Sequence, residues 1–232
     1  MGLGEIPART SMRGYWHLED VSDASGNGNT LTNVNSVSFS AGKFNNCAAF
    51  SVAQNSKALV RTSNILSALN VANFTVSFWF KLNSTANNNG HINQIVSAFT
   101  GPGSAFIINY NIADGAFSLG AMNTLTTTNA RAEYNPVSIP LTTEWLYVCI
   151  TKVSTITVNM YINGSLVSTD TGVGTEIPLT GTYNFTIGNH RASIGGFQMF
   201  ASMDEYILEE RIWSLSEIRK YYSQGRGFLA AA

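Results

Sequence analysis

The chain is poor in charge. Lys, Arg, Asp and Glu together make up 12% of its 232 residues, and the formal net charge is −1. Such a surface offers no basic field for nucleic acid or anionic lipid, so neither is an expected partner. Ser, Thr, Asn and Gly must cover most of the exterior instead. Cysteine is scarce as well. Cys47 and Cys149 are the two present, and neither sits in a CxxC or other metal-ligating spacing. Each lies in an apolar strand-like run, "NCAAFSV" and "LYVCITK", where a buried free thiol is the expected state. Sequence alone leaves open a disulfide between them.

Long hydrophobic runs are missing. No stretch approaches the ~18 consecutive apolar residues of a membrane span, so membrane insertion is not expected. The opening "MGLGEIPARTSMRGYW" lacks the basic start, apolar centre and small-residue cleavage site of a secretory signal. It predicts synthesis in a cytosol without export by that route. Catalytic motifs are missing too. There is no Gly-x-Ser-x-Gly elbow, and "GPGSAF" lacks the lysine of a phosphate loop. His17, His91 and His190 form no H-x-H or HExxH pattern. His17 alternates with Trp16 and Leu18 on an early strand, while His91 and His190 fall in loop-like stretches, "NNNGHINQ" and "GNHRAS".

Period-two alternation is what the chain has in abundance. "FTVSFWFKL" places Phe74, Val76, Phe78, Phe80 and Leu82 on one face, with Thr75, Ser77, Trp79 and Lys81 on the other. That pattern predicts a strand with one buried face. "TITVNMYING" does the same through Ile156, Val158, Met160 and Ile162, then ends in Asn163-Gly164 before "SLVST". Asn-Gly between two such runs predicts a hairpin, since both residues tolerate the positive φ of a type I′ turn. Further strands are expected at "GYWHLE", "AAFSV", "KALVRT", "INQIVSAF", "AFIINYNI", "AFSLGAM", "EWLYVCITKV", "YNFTIG" and "MDEYILEERIW". Polar loops are expected between them, including Asn87–Gly90 and "TGPGS". One helix is expected. Ser214 and Glu217 form a capping box, Leu215, Ile218, Tyr221 and Tyr222 follow at helical spacing, and Gly225 closes it. Many short strands at this spacing predict an all-β, two-sheet antiparallel sandwich with one short C-terminal helix.

Several segments resemble the laminin-G-like (concanavalin A-like) jelly-roll domains. "GYWHLEDVSDASGNGNTLT" is similar to their opening strand and loop, and "FTVSFWFKL" to their central core strand. "EWLYVCITK" with "MYINGSLV" is similar to their Trp strand and Asn-Gly hairpin. "MDEYILEERIWSLSEIRKYYSQG" resembles their final strand and capped helix. The resemblance implies a domain over residues 14–225, an extension over 1–13 and a tail over 226–232. It also implies two curved sheets packed face to face.

The resemblance constrains function less than fold. Hydrolases of this fold place two carboxylates on alternating residues of one strand, and no such run exists here. The nearest cluster is Asp204, Glu205, Glu209 and Glu210. Glu205 and Glu209 would lie ~13 Å apart along one strand face, so an enzyme is not expected. The expectation is a recognition module that binds glycan or protein through rim loops, with Tyr110, Tyr134, His190 and Arg191 as candidate contacts. The alternative is a structural protein of a virus or phage surface, partnered by other virion proteins or by itself. Either place is outside a cell or on a particle.

"SDASGNGN", from Ser22 to Asn29, suits two jobs. Asp, Ser and Asn bend their own backbone, and glycine supplies positive φ. Their oxygens are also hard ligands of the kind calcium takes. In the family a structural calcium ion often sits where the N-terminal loop meets the final strand. The matching positions are Asp23 and Asp204.

Overall fold

The computed structural model describes residues 10–50, 57–62, 65, 73–86, 88–97, 105–123, 130–153, 157–173, 183–189 and 199–224. Fifteen strands and one helix occur among them, in two antiparallel sheets. The eight-stranded sheet runs β13 (Ser165–Thr171), β12 (Thr157–Ile162), β11 (Leu146–Val153), β6 (Phe74–Leu82), β15 (Ala201–Glu209), β4 (Asn46–Ala49), β3 (Ser38–Ala41). Strand β1 (Met12–Trp16) also pairs with β15, over Tyr206–Glu209, where β4 has left off at Ser202 and Met203. The seven-stranded sheet runs β10 (Ala130–Tyr134), β9 (Ala116–Asn123), β8 (Ala105–Ala113), β7 (Asn88–Ser97), β14 (Tyr183–Ile187), β5 (Ala58–Thr62), β2 (Thr32–Val34).

The alternation sets the core. Phe74, Val76, Phe78, Phe80, Leu82, Val158, Met160 and Ile162 all line the space between the sheets, as their period predicts. Ile156 lies outside the described residues. Phe78 stacks on Tyr206 at 5.6 Å, and Trp16 stacks on Phe185 of the opposite sheet at 5.1 Å. The second face of β6 is buried too. Trp79 joins Tyr15, Tyr147, Cys149, Ile207 and Trp213 in a smaller cluster under helix α1 (Leu215–Gln224), which contributes Ile218 and Tyr221. The helix starts at the expected cap: the Ser214 N–H donates to Glu217 Oε2 at 2.8 Å, and the Glu217 N–H donates to Ser214 Oγ at 3.3 Å. Its expected stop, Gly225, lies outside the described residues.

The hairpin forms as read, with Asn163 at φ 51° and Gly164 at 77°. Cys47 and Cys149 are both buried and free. Residues 88–90 differ from the loop expectation: they open strand β7, paired with Tyr110, Asn111 and Ile112. The reason is the tyrosine. Its hydroxyl donates to Asn88 Oδ1 at 2.6 Å, and its ring lies where a Cβ on Gly90 would stand, 2.6 Å away. His91 therefore sits within a strand, not a loop. Strands β2, β3 and β10 are not among the expected ones, because "TNV" and "SFSA" are short with one large apolar residue each, and the fully buried members of "ARAEY" are small alanines. The loop at "TGPGS" lies outside the described residues.

Candidate functional site

The Ser22–Asn29 loop is stitched to the free edge of β1. Asp23 Oδ1 accepts the N–H groups of Tyr15 (3.1 Å) and Ser25 (2.9 Å), and Oδ2 accepts that of Asn29 (2.8 Å). The side-chain amides of Asn27 and Asn29 donate to the carbonyls of Met12 (2.8 Å) and Arg13 (2.6 Å). Gly26 and Gly28 supply φ values of 84° and 69°. Backbone groups of an edge strand that would otherwise face solvent are thus covered by loop side chains.

Asp204 lies elsewhere on this sheet, fully buried at 0% exposure. Its Oδ2 accepts the Phe44 N–H at 2.9 Å, while Oδ1 has no hydrogen-bond partner. Burial pushes its carboxyl up to about 7, with the Phe44 N–H opposing the rise and Glu205 adding to it. Asp23 and Asp204 share no hydrogen-bond partner among the described residues. Nor do the described residues hold a group of three or more His, Cys, Asp or Glu placed for a metal ion. Calcium takes six to eight oxygens; the one carboxylate oxygen left unbonded in this pair is Asp204 Oδ1. The donor set fits a hydrogen-bonded turn better than it fits calcium.

The other acids of the last strand are engaged separately. Glu205 sits at a break in register between Asp204 and Ile207, with φ at 52°. It accepts from the Tyr15 hydroxyl and contacts His17 Nδ1 at 2.9 Å. Glu209, at 0% exposure, accepts from Ser11 Oγ (2.6 Å), Arg211 Nε (2.8 Å) and Trp213 Nε1 (2.6 Å). Glu210 accepts from Arg13 Nε at 2.7 Å.

The expected rim contacts divide. Tyr110 is a core residue: it is buried, packs on Phe80 at 5.5 Å, and its oxygen also accepts the Phe200 N–H at 2.7 Å. It presents no ring to a ligand. Tyr134 is half-buried against the same core. His190 and Arg191 lie outside the described residues.

A polar surface that the sequence reading passed over lies on the outward face of β8, β9 and β10. Ile108, Tyr110 and Ile112 point into the core, so Ile107, Asn109 and Asn111 point out. Register sets Asn109 beside Gly120, Asn111 beside Ser118, and Ile107 beside Met122. The next strand adds Glu133 beside Gly120 and Arg131 beside Met122. Arg131 and Glu133 form an ion pair. Signals for this surface were present in "INYNI" and "RAEY", whose polar members alternate with core residues.

Among the described residues, Asp23 and the acids of the last strand are each engaged by hydrogen bonds within an antiparallel two-sheet sandwich. The chain belongs to the concanavalin A-like lectin/glucanases superfamily, whose family model matches residues 53–219. No curated relative matches it in sequence. Solved structures extend the likeness in fold. The botulinum neurotoxin serotype D binding domain superposes with a TM-score of 0.67 at 19% identity, covering 92% of this chain and 52% of that one. A botulinum neurotoxin type C structure, described by interaction with two ganglioside molecules, gives 0.65 at 15%, covering 91% and 51%. Domain 4 of AbnA, a GH43 extracellular arabinanase from Geobacillus stearothermophilus, in complex with arabinotriose, gives 0.62 at 17%, covering 90% and 97%. The chain therefore spans about half the length of the neurotoxin structures and nearly all of the arabinanase domain.

Proposed function

We propose that the chain is a non-enzymatic recognition module that acts outside a cell and binds a glycan or protein ligand. The observation that carries this reading is the state of the acids on β15. Glycoside hydrolysis needs two carboxylates free to flank one scissile bond. Glu205 and Glu209 are instead buried, and each is held by its own set of structural donors. The likeness to binding domains of neurotoxins and to an arabinanase domain in complex with arabinotriose supports the same direction.

An array of immobilised glycans, run beside an assay for released reducing sugar, tests the reading. The expected result is a signal on at least one glycan class and no turnover of that sugar. Turnover that disappears in Glu205→Gln would sink it. Silence across the array, together with self-association into regular particles, would favour a structural component of a particle surface.

A further inference from the structure

The outward face of the eight-stranded sheet carries two lysines that have no carboxylate partner. Lys43 and Lys81 make no ion pair and no side-chain hydrogen bond among the described residues, whereas Arg13, Arg131 and Arg211 are each paired with a glutamate. Both ammonium groups rest on indoles instead. Lys43 Nζ stands 4.6 Å from the Trp79 ring centroid, and Lys81 Nζ stands 5.1 Å from that of Trp145. Register brings these residues together. Trp79 lies opposite Tyr147 and Phe80 opposite Leu146, so Lys81 comes opposite Trp145, which precedes β11. The two tryptophans are therefore two positions apart along the strands and one strand apart across them, roughly 8 Å.

The turn that carries Lys43 is fixed from below. The Gly42 N–H donates to the Asn45 carbonyl at 2.8 Å, and the Phe44 N–H donates to Asp204 Oδ2 at 2.9 Å. The Phe44 ring meets Trp79 edge-on at 6.1 Å, and Tyr222 of α1 lies 6.0 Å from the same indole. Lys43 and Tyr222 are exposed, while Phe44, Lys81 and Trp145 are half-buried. A lysine normally loses rotamer freedom when it pairs with an anion. One already seated on an indole has less to lose, and so pairs at lower cost. Acids that adjoin the turn are already in use: Asp204 is buried beneath it, and Glu19 accepts from Asn45 Nδ2 at 2.9 Å.

Two pre-oriented cations beside exposed aromatic carbon fit an acidic partner with some apolar character. Trp79 is 4% exposed and an ammonium lies over Trp145, which disfavours a stacked sugar ring. Two lysines also fall short of the roughly four to eight that hold a basic segment on an anionic bilayer. In an extended peptide, carboxylates on alternate residues stand about 7 Å apart, close to the spacing of the two tryptophans. We propose that this face docks an acidic, extended segment of a partner protein. Asp or Glu at alternate positions meets Lys43 and Lys81, and an apolar side chain rests beside Phe44 and Tyr222. The proposal rests on the protein-binding form of the module reading and places the contact on the eight-stranded sheet, away from the rim loops.

The test titrates the full chain against immobilised short peptides that alternate Asp or Glu with Leu or Val. Beside them stand the same peptides with Asn for Asp and Gln for Glu, heparin, and vesicles of phosphatidylserine in phosphatidylcholine. Calorimetry then measures Kd for the best peptide with wild type, Lys43→Gln, Lys81→Gln and the double variant Lys43→Glu with Lys81→Glu. The expected result is binding to acidic peptides and not to their amide forms, weakened about fivefold or more in each Gln variant. The double variant should prefer peptides with Lys in place of Glu. Melting midpoints of the Gln variants should stay within about 4 °C of wild type, the size of an exposed cation–π contact. An acidic peptide bound equally well by both Gln variants overturns the assignment to this face. Preference for heparin or for vesicles over every peptide overturns the partner class. Silence on all peptides overturns the proposal alone if the glycan array gives a signal, and the module reading with it if both arrays are silent.

Discussion

At the scale of single residues, two aspartates expected to share one site do different work. Asp23 collects three backbone N–H groups and closes a turn. Hydrogen bonds to a charged acceptor contribute roughly 1.5–3 kcal/mol each, enough to hold the loop on β1 without an ion. Thermal melting in excess calcium and then in chelator should give the same wild-type midpoint, whereas Asp23→Ala should melt lower in both. A wild-type midpoint that rises with calcium would restore the ion. Asp204 is held with its carboxyl raised to about 7 from an ordinary 3.8. The folded chain keeps that proton over a range in which the unfolded chain has released it. Its contribution is therefore complete below the unfolded value and is lost as pH rises through about 7. Raising pH from 6 to 8 should cost about 1 kcal/mol, or ~2–4 °C in a chain of this size. Asp204→Asn should remove that slope; an equal slope in the variant would assign the titration to another group.

At the scale of elements, the strands at the sheet ends determine whether one copy pairs with another. β10 and β13 end their respective sheets on the same side of the sandwich. The Arg131 N–H donates to Asp170 Oδ2 at 2.6 Å, and the Glu133 N–H donates to Ser168 Oγ at 3.0 Å. Side chains of one edge thus occupy the ladder groups of the other, which blocks strand addition there. Replacing both acceptors, Ser168→Ala with Asp170→Ala, should cost roughly 1–3 kcal/mol in denaturant unfolding. Sedimentation velocity should show dimers or larger species at concentrations where wild type has none. A variant that stays at the wild-type mass and stability would mean that water covers this edge as well as the side chains do. The other elements follow local rules. The Asn-Gly turn, the capped helix and the inward faces of β6 and β12 depend on neighbours a few residues away.

At the scale of the whole molecule, the sequence by itself determined the class of fold, most of the strands, the inward faces of β6 and β12, the hairpin turn and the start of the helix. Each rests on a period of two, on the φ tolerance of Asn and Gly, or on a cap that spans four residues, all of which are local. Alternation says which side chains oppose each other across a strand, but not what covers the second face. Only the tertiary structure decided that Trp79 lies under α1, and that Tyr110 belongs to the core while Asn109 and Asn111 face outward. It also engaged the side chains of Asp23, Asn27 and Asn29 at β1 and left those of Asn109, Asn111 and Ser118 without a bond among the described residues. The bonds around Asp23 join residues up to eight positions apart, and that around Asp204 spans 160. Composition cannot distinguish an asparagine that seals an edge from one that makes no bond within the fold, because the difference lies in which distant strand arrives beside it.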